Sequence, residues 1–192
     1  MSCDMPPYPY SPLLPGPDSI RLLRLRPPES ETATIRCQLF NYSLDGSDKT
    51  TPRYEALSYV WGDPKNALPI VIDEYKFNVT VNLHAALWHL RNRAIEWIWI
   101  DAISINQRDR QERGHQVRNM AKIYGKAHRV VVWLGQMEDN SDRAFEEIHA
   151  RKKWSDTSDD QILKQTVVAL LQRPWFRRIW VRIQALDKLS RY

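Results

Sequence analysis

Trp97-Ile98-Trp99-Ile100-Asp101-Ala102-Ile103-Ser104-Ile105-Asn106-Gln107 is the stretch on which the reading of this chain turns. It opens as a short apolar run rich in Trp and Ile, then becomes polar. A run of this length and composition suits a strand covered on both faces. Asp101, Asn106 and Gln107 follow where that strand should emerge. In open α/β sheets, ligands sit beyond the carboxyl ends of the strands, so polar groups gather here where a site is expected.

Working outward, the flanking segments alternate between strand and helix patterns. Tyr54-Glu55-Ala56-Leu57-Ser58-Tyr59-Val60 reads as a strand, stopped by Trp61-Gly62-Asp63-Pro64. Asn82 is placed to cap a helix with Leu83, Leu87 and Leu90 on one face. Asp109 and Glu112 form a capping box ahead of an apolar stripe of Val117, Met120, Ala121 and Tyr124. Arg129 to Leu134 is the next buried strand, ended by Gly135. Ser141 and Ser158 are placed to start further helices, and Pro174 to start the last. Strands alternating with helices imply a parallel sheet flanked by helices, joined by right-handed crossovers.

Ahead of this core, Ile20 to Arg26 and Thr34 to Tyr42 alternate apolar and polar residues. We expect them to form an N-terminal β-hairpin addition, as a hairpin or an edge ribbon. A second hairpin is expected around Asp73-Glu74. Residues 1–18 hold six of the 12 prolines and read as a disordered Pro-rich leader, leaving 19–192 as one domain.

The bulk numbers bound the function. The 192 residues suffice for one domain with a real core. At 43% hydrophobic and 27% charged, the composition is that of an ordinary globular protein. The net charge of +5 is mild and spread along the chain, a weak argument for nucleic acid. Two cysteines do not make a disulfide framework, and neither a signal peptide nor a membrane span is evident, so a cytoplasmic location is expected. The six glycines never cluster into a phosphate loop, and the five histidines miss metal-ligand spacing, so no metal and no cofactor are expected.

Three blocks carry candidate chemistry. In the first, Ser58, Tyr59, Trp61 and Gly62 stand at a strand end, where Gly62 would let backbone approach a ligand. In the second, Asp101, Asn106 and Gln107 either line a pocket or simply cap the loop by bonding local backbone. In the third, Arg173-Pro174-Trp175-Phe176-Arg177-Arg178-Ile179-Trp180-Val181, Arg177 is placed at a helix start that favours anions. Its plainer reading is a buried aromatic pair with solvated arginines.

Taken in order, these blocks resemble the fungal heterokaryon incompatibility (HET) domain. The resemblance rests on Tyr54 to Asp63, Asn82-Leu83, Trp99 to Gln107, Glu112-Arg113, Gln116-Val117, Ile123-Tyr124, Val132-Trp133-Leu134-Gly135 and Arg173 to Val181, over about residues 20–186. It implies a module that triggers programmed cell death in fungal non-self recognition. It also implies kinship with Toll/interleukin-1 receptor (TIR) domains and hence a flavodoxin-like fold. Some TIR domains cleave NAD between nicotinamide and ribose, and many act by association. On that analogy NAD is the candidate substrate. The nucleotide-binding set would be Ser58, Tyr59, Trp61, Gly62, Asp101, Asn106, Gln107 and Arg177.

This chain departs from the family at the catalytic carboxylate the resemblance implies. Without gaps, Gln184 stands where the family has Glu, and Ile183 where it has Gln. N-glycosidic cleavage builds positive charge on the ribose, which a carboxylate stabilises and an amide does not. Ser104 replaces the usual Cys, and Glu74 a frequent Gly. We therefore expect association with a protein partner, by self-association or with an incompatibility partner, over NAD nucleosidase activity. The stop at Tyr192 leads us to expect a truncated or mis-framed domain.

Overall fold

The computed structural model describes residues 8–44, 51–93, 95–136, 168–169 and 171–177. The chain forms two compact units, Met1–Trp133 and Leu134–Tyr192. The first is an α/β unit with a mixed seven-stranded sheet: β1 (Ser19–Leu25), β2 (Arg36–Ser43), β3 (Glu55–Tyr59), β4 (Ala67–Ile72), β5 (Tyr75–Thr80), β6 (Trp97–Trp99) and β7 (Arg129–Trp133). The helices are α1 (Val81–Leu90), a single turn α2 (Asp101–Ser104) and α3 (Arg110–Lys126). The strand order is β5-β4-β2-β1-β6-β3-β7.

The expected parallel sheet with added hairpins is one mixed sheet. Parallel pairing holds for β3 with β6, β3 with β7 and β2 with β4. The β1–β2, β1–β6 and β4–β5 pairs are antiparallel. The N-terminal hairpin is present, but it lies in the middle of the sheet, with Leu23 opposite both Leu39 and Ile98. The reason is burial. Ile20, Arg21, Leu22 and Leu23 are all at most 2% exposed, so β1 needs cover on both sides and both faces. The arginine at position 21 had suggested a wet face; it is instead paired inside the fold.

Alternation distributes the core between two helical layers. Leu57 and Tyr59 of β3 and Ile98 of β6 join Leu83, Ala86 and Leu87 of α1 in one cluster. On the other face, the Trp99 ring meets Tyr124 of α3 edge-on at 5.5 Å, and the Tyr124 hydroxyl donates to Leu57 O. Burying a leucine such as Leu87 contributes about 1.5–3 kcal/mol. The α3 stripe sits slightly differently from expectation. Gln116, Ile123 and Tyr124 are buried, while Val117 is 54% exposed, because the Gln116 amide donates to Ser19 O and turns that face inward.

Local chemistry sets the element ends. Asp109 Oδ1 accepts from Gln111 N and Glu112 N and so starts α3. Thr80, not Asn82, caps α1 by accepting from Leu83 N. The β4–β5 turn has positive φ at both Asp73 (47°) and Glu74 (69°), the backbone of a type I′ hairpin. Residues 8–18 lie against the sheet: the Tyr10 hydroxyl donates to Ile103 O at 2.7 Å, and the Tyr8 ring meets Phe77 and Tyr75.

In the second unit, a 3-10 turn spans Pro174–Arg177, Arg173 donates to Leu134 O, and the Trp175 and Phe176 rings meet edge-on at 4.9 Å. The helix expected from Ser141 lies outside the described residues; of the one expected from Ser158, residues 168–169 and 171 are described and are helical.

Candidate functional site

The carboxyl ends of the three parallel strands β6, β3 and β7 bring several expected residues together. Trp61 follows β3, and its indole Nε1–H donates to Asp101 Oδ2 at 2.9 Å. Asp101 follows β6 and is 7% exposed, with its Oδ1 accepting from Ala102 N at 2.7 Å. The Gln107 side chain donates to Asp101 O at 2.9 Å. Trp61, Asp101 and Gln107 thus form one bonded cluster, with the Trp61 side chain 40% exposed at its rim.

A second link joins β3 to β7. Asn82 Nδ2 donates to Val60 O at 2.6 Å, and Asn82 Oδ1 accepts from Trp133 Nε1 at 2.9 Å. Sequence reading placed Asn82 as a helix cap and missed this bridge. Because Thr80 already supplies the cap, the amide is left to tie two strand ends, using both its donor and its acceptor. Gly62 lies beside it at φ +80°; an added Cβ would stand 3.5 Å from Asn82 Cβ, so backbone conformation rather than crowding calls for glycine.

The remaining expected residues go elsewhere. Ser58 and Tyr59 are 1% and 2% exposed, Tyr59 within the core cluster. Asn106 makes a local turn, its Oδ1 accepting from Arg108 N while its own N–H donates to Glu112 Oε1. This matches the loop-capping alternative. Arg177 ends the 3-10 turn of the second unit. Gln184 lies outside the described residues.

Sequence reading also missed the Arg21–Glu112 pair. Arg21 donates from Nη1 to Glu112 Oε1 (2.6 Å) and from Nη2 to Oε2 (3.1 Å), and it further donates to Ser104 O and Ser11 O. It fixes the start of α3 and the turn after β6 to the middle of the sheet. Tyr10 covers this arginine, 5.1 Å from ring centre to guanidinium. Burial holds the Tyr10 phenol above its usual range, with Arg21 pulling the other way, so the hydroxyl stays a donor to Ile103 O.

No group of three or more His, Cys, Asp or Glu among the described residues is placed to hold a metal ion. No described helix is long and apolar enough to cross a membrane. The strand ends offer an indole face, a buried carboxylate and amides, with Trp61, Asp101 and Gln107 bonded together and Asn82 bonded to Val60 and Trp133.

The comparisons with known proteins agree on one family. The sequence model described as Heterokaryon incompatibility protein (HET) matches residues 54–184. Heterokaryon incompatibility protein 6, OR allele, of Neurospora crassa is 39% identical over 141 residues, covering 66% of this chain and 20% of that protein. The chain therefore spans about a fifth of the length of that relative. No solved structure matches the chain. With well over half of its length matched by the family model, this chain belongs to the heterokaryon incompatibility (HET) family.

Proposed function

We propose that this chain serves heterokaryon incompatibility as a cell-death signalling module of fungal non-self recognition, acting by protein association in the cytoplasm. Family membership supplies the process. One observation favours association over turnover: both carboxylate oxygens of Asp101 already accept bonds from within the fold, from Trp61 Nε1 and Ala102 N. A carboxylate so engaged is poorly placed to stabilise a developing ribosyl cation. Gln184, at the position of the family Glu, adds no charge to replace it.

The parallel β6–β3–β7 core and its α3 crossover support reading this unit as TIR-like. On that reading the strand-end crevice with Trp61, Asp101 and Gln107 favours a second function, NAD binding and cleavage.

The test has two arms. Induced expression in fungal hyphae should cause cell death, and purified chain incubated with NAD should release no nicotinamide. Turnover by the natural chain would reverse the order of the two readings. Turnover by Gln184→Glu alone would identify a decayed enzyme. Expression without death would remove the signalling assignment.

A further inference from the structure

The β1–β2 connection covers a cavity of about 360 Å³ remote in sequence from the strand-end cluster. Its lining includes Arg26, Arg36, Arg91, Glu29, Ser30 and Thr34. Arg91 is the unusual member. It is only 6% exposed, and its guanidinium lies 3.3 Å from the centre of the Trp88 ring. Its polar partners are backbone carbonyls: Nη1 donates to Ala33 O at 2.7 Å and Nη2 to Glu31 O, while Nε is buried with no acceptor among the described residues. No described carboxylate pairs with it.

Carbonyl dipoles and an indole face attract a guanidinium without neutralising it. A buried cation without a counter-charge still favours the approach of an anion. Arg26 and Arg36 stand at the same cavity with exposed, reachable side chains. Arg36 shares its charge with Glu74 in an exposed pair at 3.1 Å, a contact weak enough to yield to a better anion. Glu29 is the only carboxylate in the lining, against three arginines. The charge reaches beyond the cavity: burial, and then Arg91, push the His84 imidazole below its ordinary pKa.

We propose that this cavity is an anion site for a phosphate monoester carried on a small molecule. Guanidinium forks match phosphate oxygens. Arg26 and Arg36 would contact the oxygens, and Arg91 would hold the positive potential from the floor. The volume lies within the range of small-molecule pockets and suits a phosphate with a compact organic portion. The site is independent of the signalling and NAD readings above.

The experiment titrates the full chain with inorganic phosphate and with glycerol phosphate, using chloride at matched ionic strength as the control. Binding is followed by calorimetry and melting temperature. Both phosphates should bind and raise the melting temperature where chloride does not. An Arg26→Gln, Arg36→Gln double variant removes only exposed cations. It should keep its melting temperature in chloride and weaken phosphate binding about a hundredfold, tenfold for each lost charged contact. Glu29→Gln should tighten binding severalfold, which a purely structural role for the arginines does not predict. Equal responses to phosphate and chloride, or unchanged binding in the double variant, would overturn the site. A phosphoserine peptide binding tenfold more tightly than glycerol phosphate would overturn the small-molecule assignment.

Discussion

Arg21 and Glu112 join the middle of the sheet to the first turn of α3 through a forked contact of 2.6 and 3.1 Å, with Arg21 only 2% exposed. Glu112 Oε1 also accepts from Asn106 N, so one carboxylate holds both a buried cation and the turn after β6. Removing one member leaves the other charge buried and unpaired. Glu112→Ala should destabilise the fold by about 3–5 kcal/mol in urea denaturation. The double replacement Arg21→Met, Glu112→Leu should recover most of that loss. A single variant within about 1 kcal/mol of the natural chain would show that the pair is not what anchors α3.

Glu74→Gly should stabilise the protein by about 1 kcal/mol, since Glu74 sits at φ 69° where a side chain is disfavoured. The Arg36–Glu74 pair lost in the exchange is exposed and offsets little. Thermal melting reads the sign directly.

Gly62→Ala should act in the opposite direction, costing about 1 kcal/mol, because φ +80° disfavours any Cβ. Space is not the obstacle, with Asn82 Cβ at 3.5 Å. A loss above about 3 kcal/mol would point to crowding instead of backbone strain.

Asn82→Ala should cost more than Thr80→Ala, although both lie at the start of α1. Thr80 supplies one cap bond, for about 1 kcal/mol. Asn82 bridges Val60 O and Trp133 Nε1, and its loss leaves two partly buried groups without partners, for about 2–3 kcal/mol. Denaturation of the two variants side by side ranks them.

Stability should fall as pH rises from about 9 toward 12. Burial, and secondarily the Asp73 charge, push the Cys37 thiol from 9.0 up to about 12. Burial first, and then Asp73, likewise lifts Tyr8 from 10.0 to about 12, and burial raises Tyr54. Below pH 9 these groups are protonated in both folded and unfolded chains, so they add no pH dependence there. Above it the unfolded chain ionises first and gains stability relative to the fold. Urea midpoints between pH 8 and 11 should decline. Cys37 should also resist thiol reagents at pH 8 until the chain is unfolded.

Much of this fold was legible because apolar runs and turn residues agreed. The run at Trp97–Trp99, the strand before Trp61-Gly62 and the Asp109 cap all emerge where the pattern placed them. What escaped was the work of polar residues inside. Arg21 looked like a wet face and Gln116 like a helix exterior, since pattern reading counts a charge as exposed and does not see its partner 91 residues away. That error moved the N-terminal hairpin to an edge and turned α3 slightly on its axis. At the strand ends, Trp61, Asp101 and Gln107 were legible because they follow strand stops. The Asn82 bridge was not, since an amide before a helix has the same appearance whether it caps or spans.

The central place of β1 and β2 bears on how the protein comes into being. The family match begins at residue 54, yet in the strand order of the sheet β2 and β1, residues 19–43, stand between β4–β5 and β6–β3–β7. A polypeptide started at the family boundary would hold two ribbons with open flanks, each a template for sticking to its neighbours. During synthesis the hairpin emerges first and waits for Trp97 before it is enclosed on the β1 side. This keystone is made early and locked late, so its assembly is slow to close and exposed to clumping until it does.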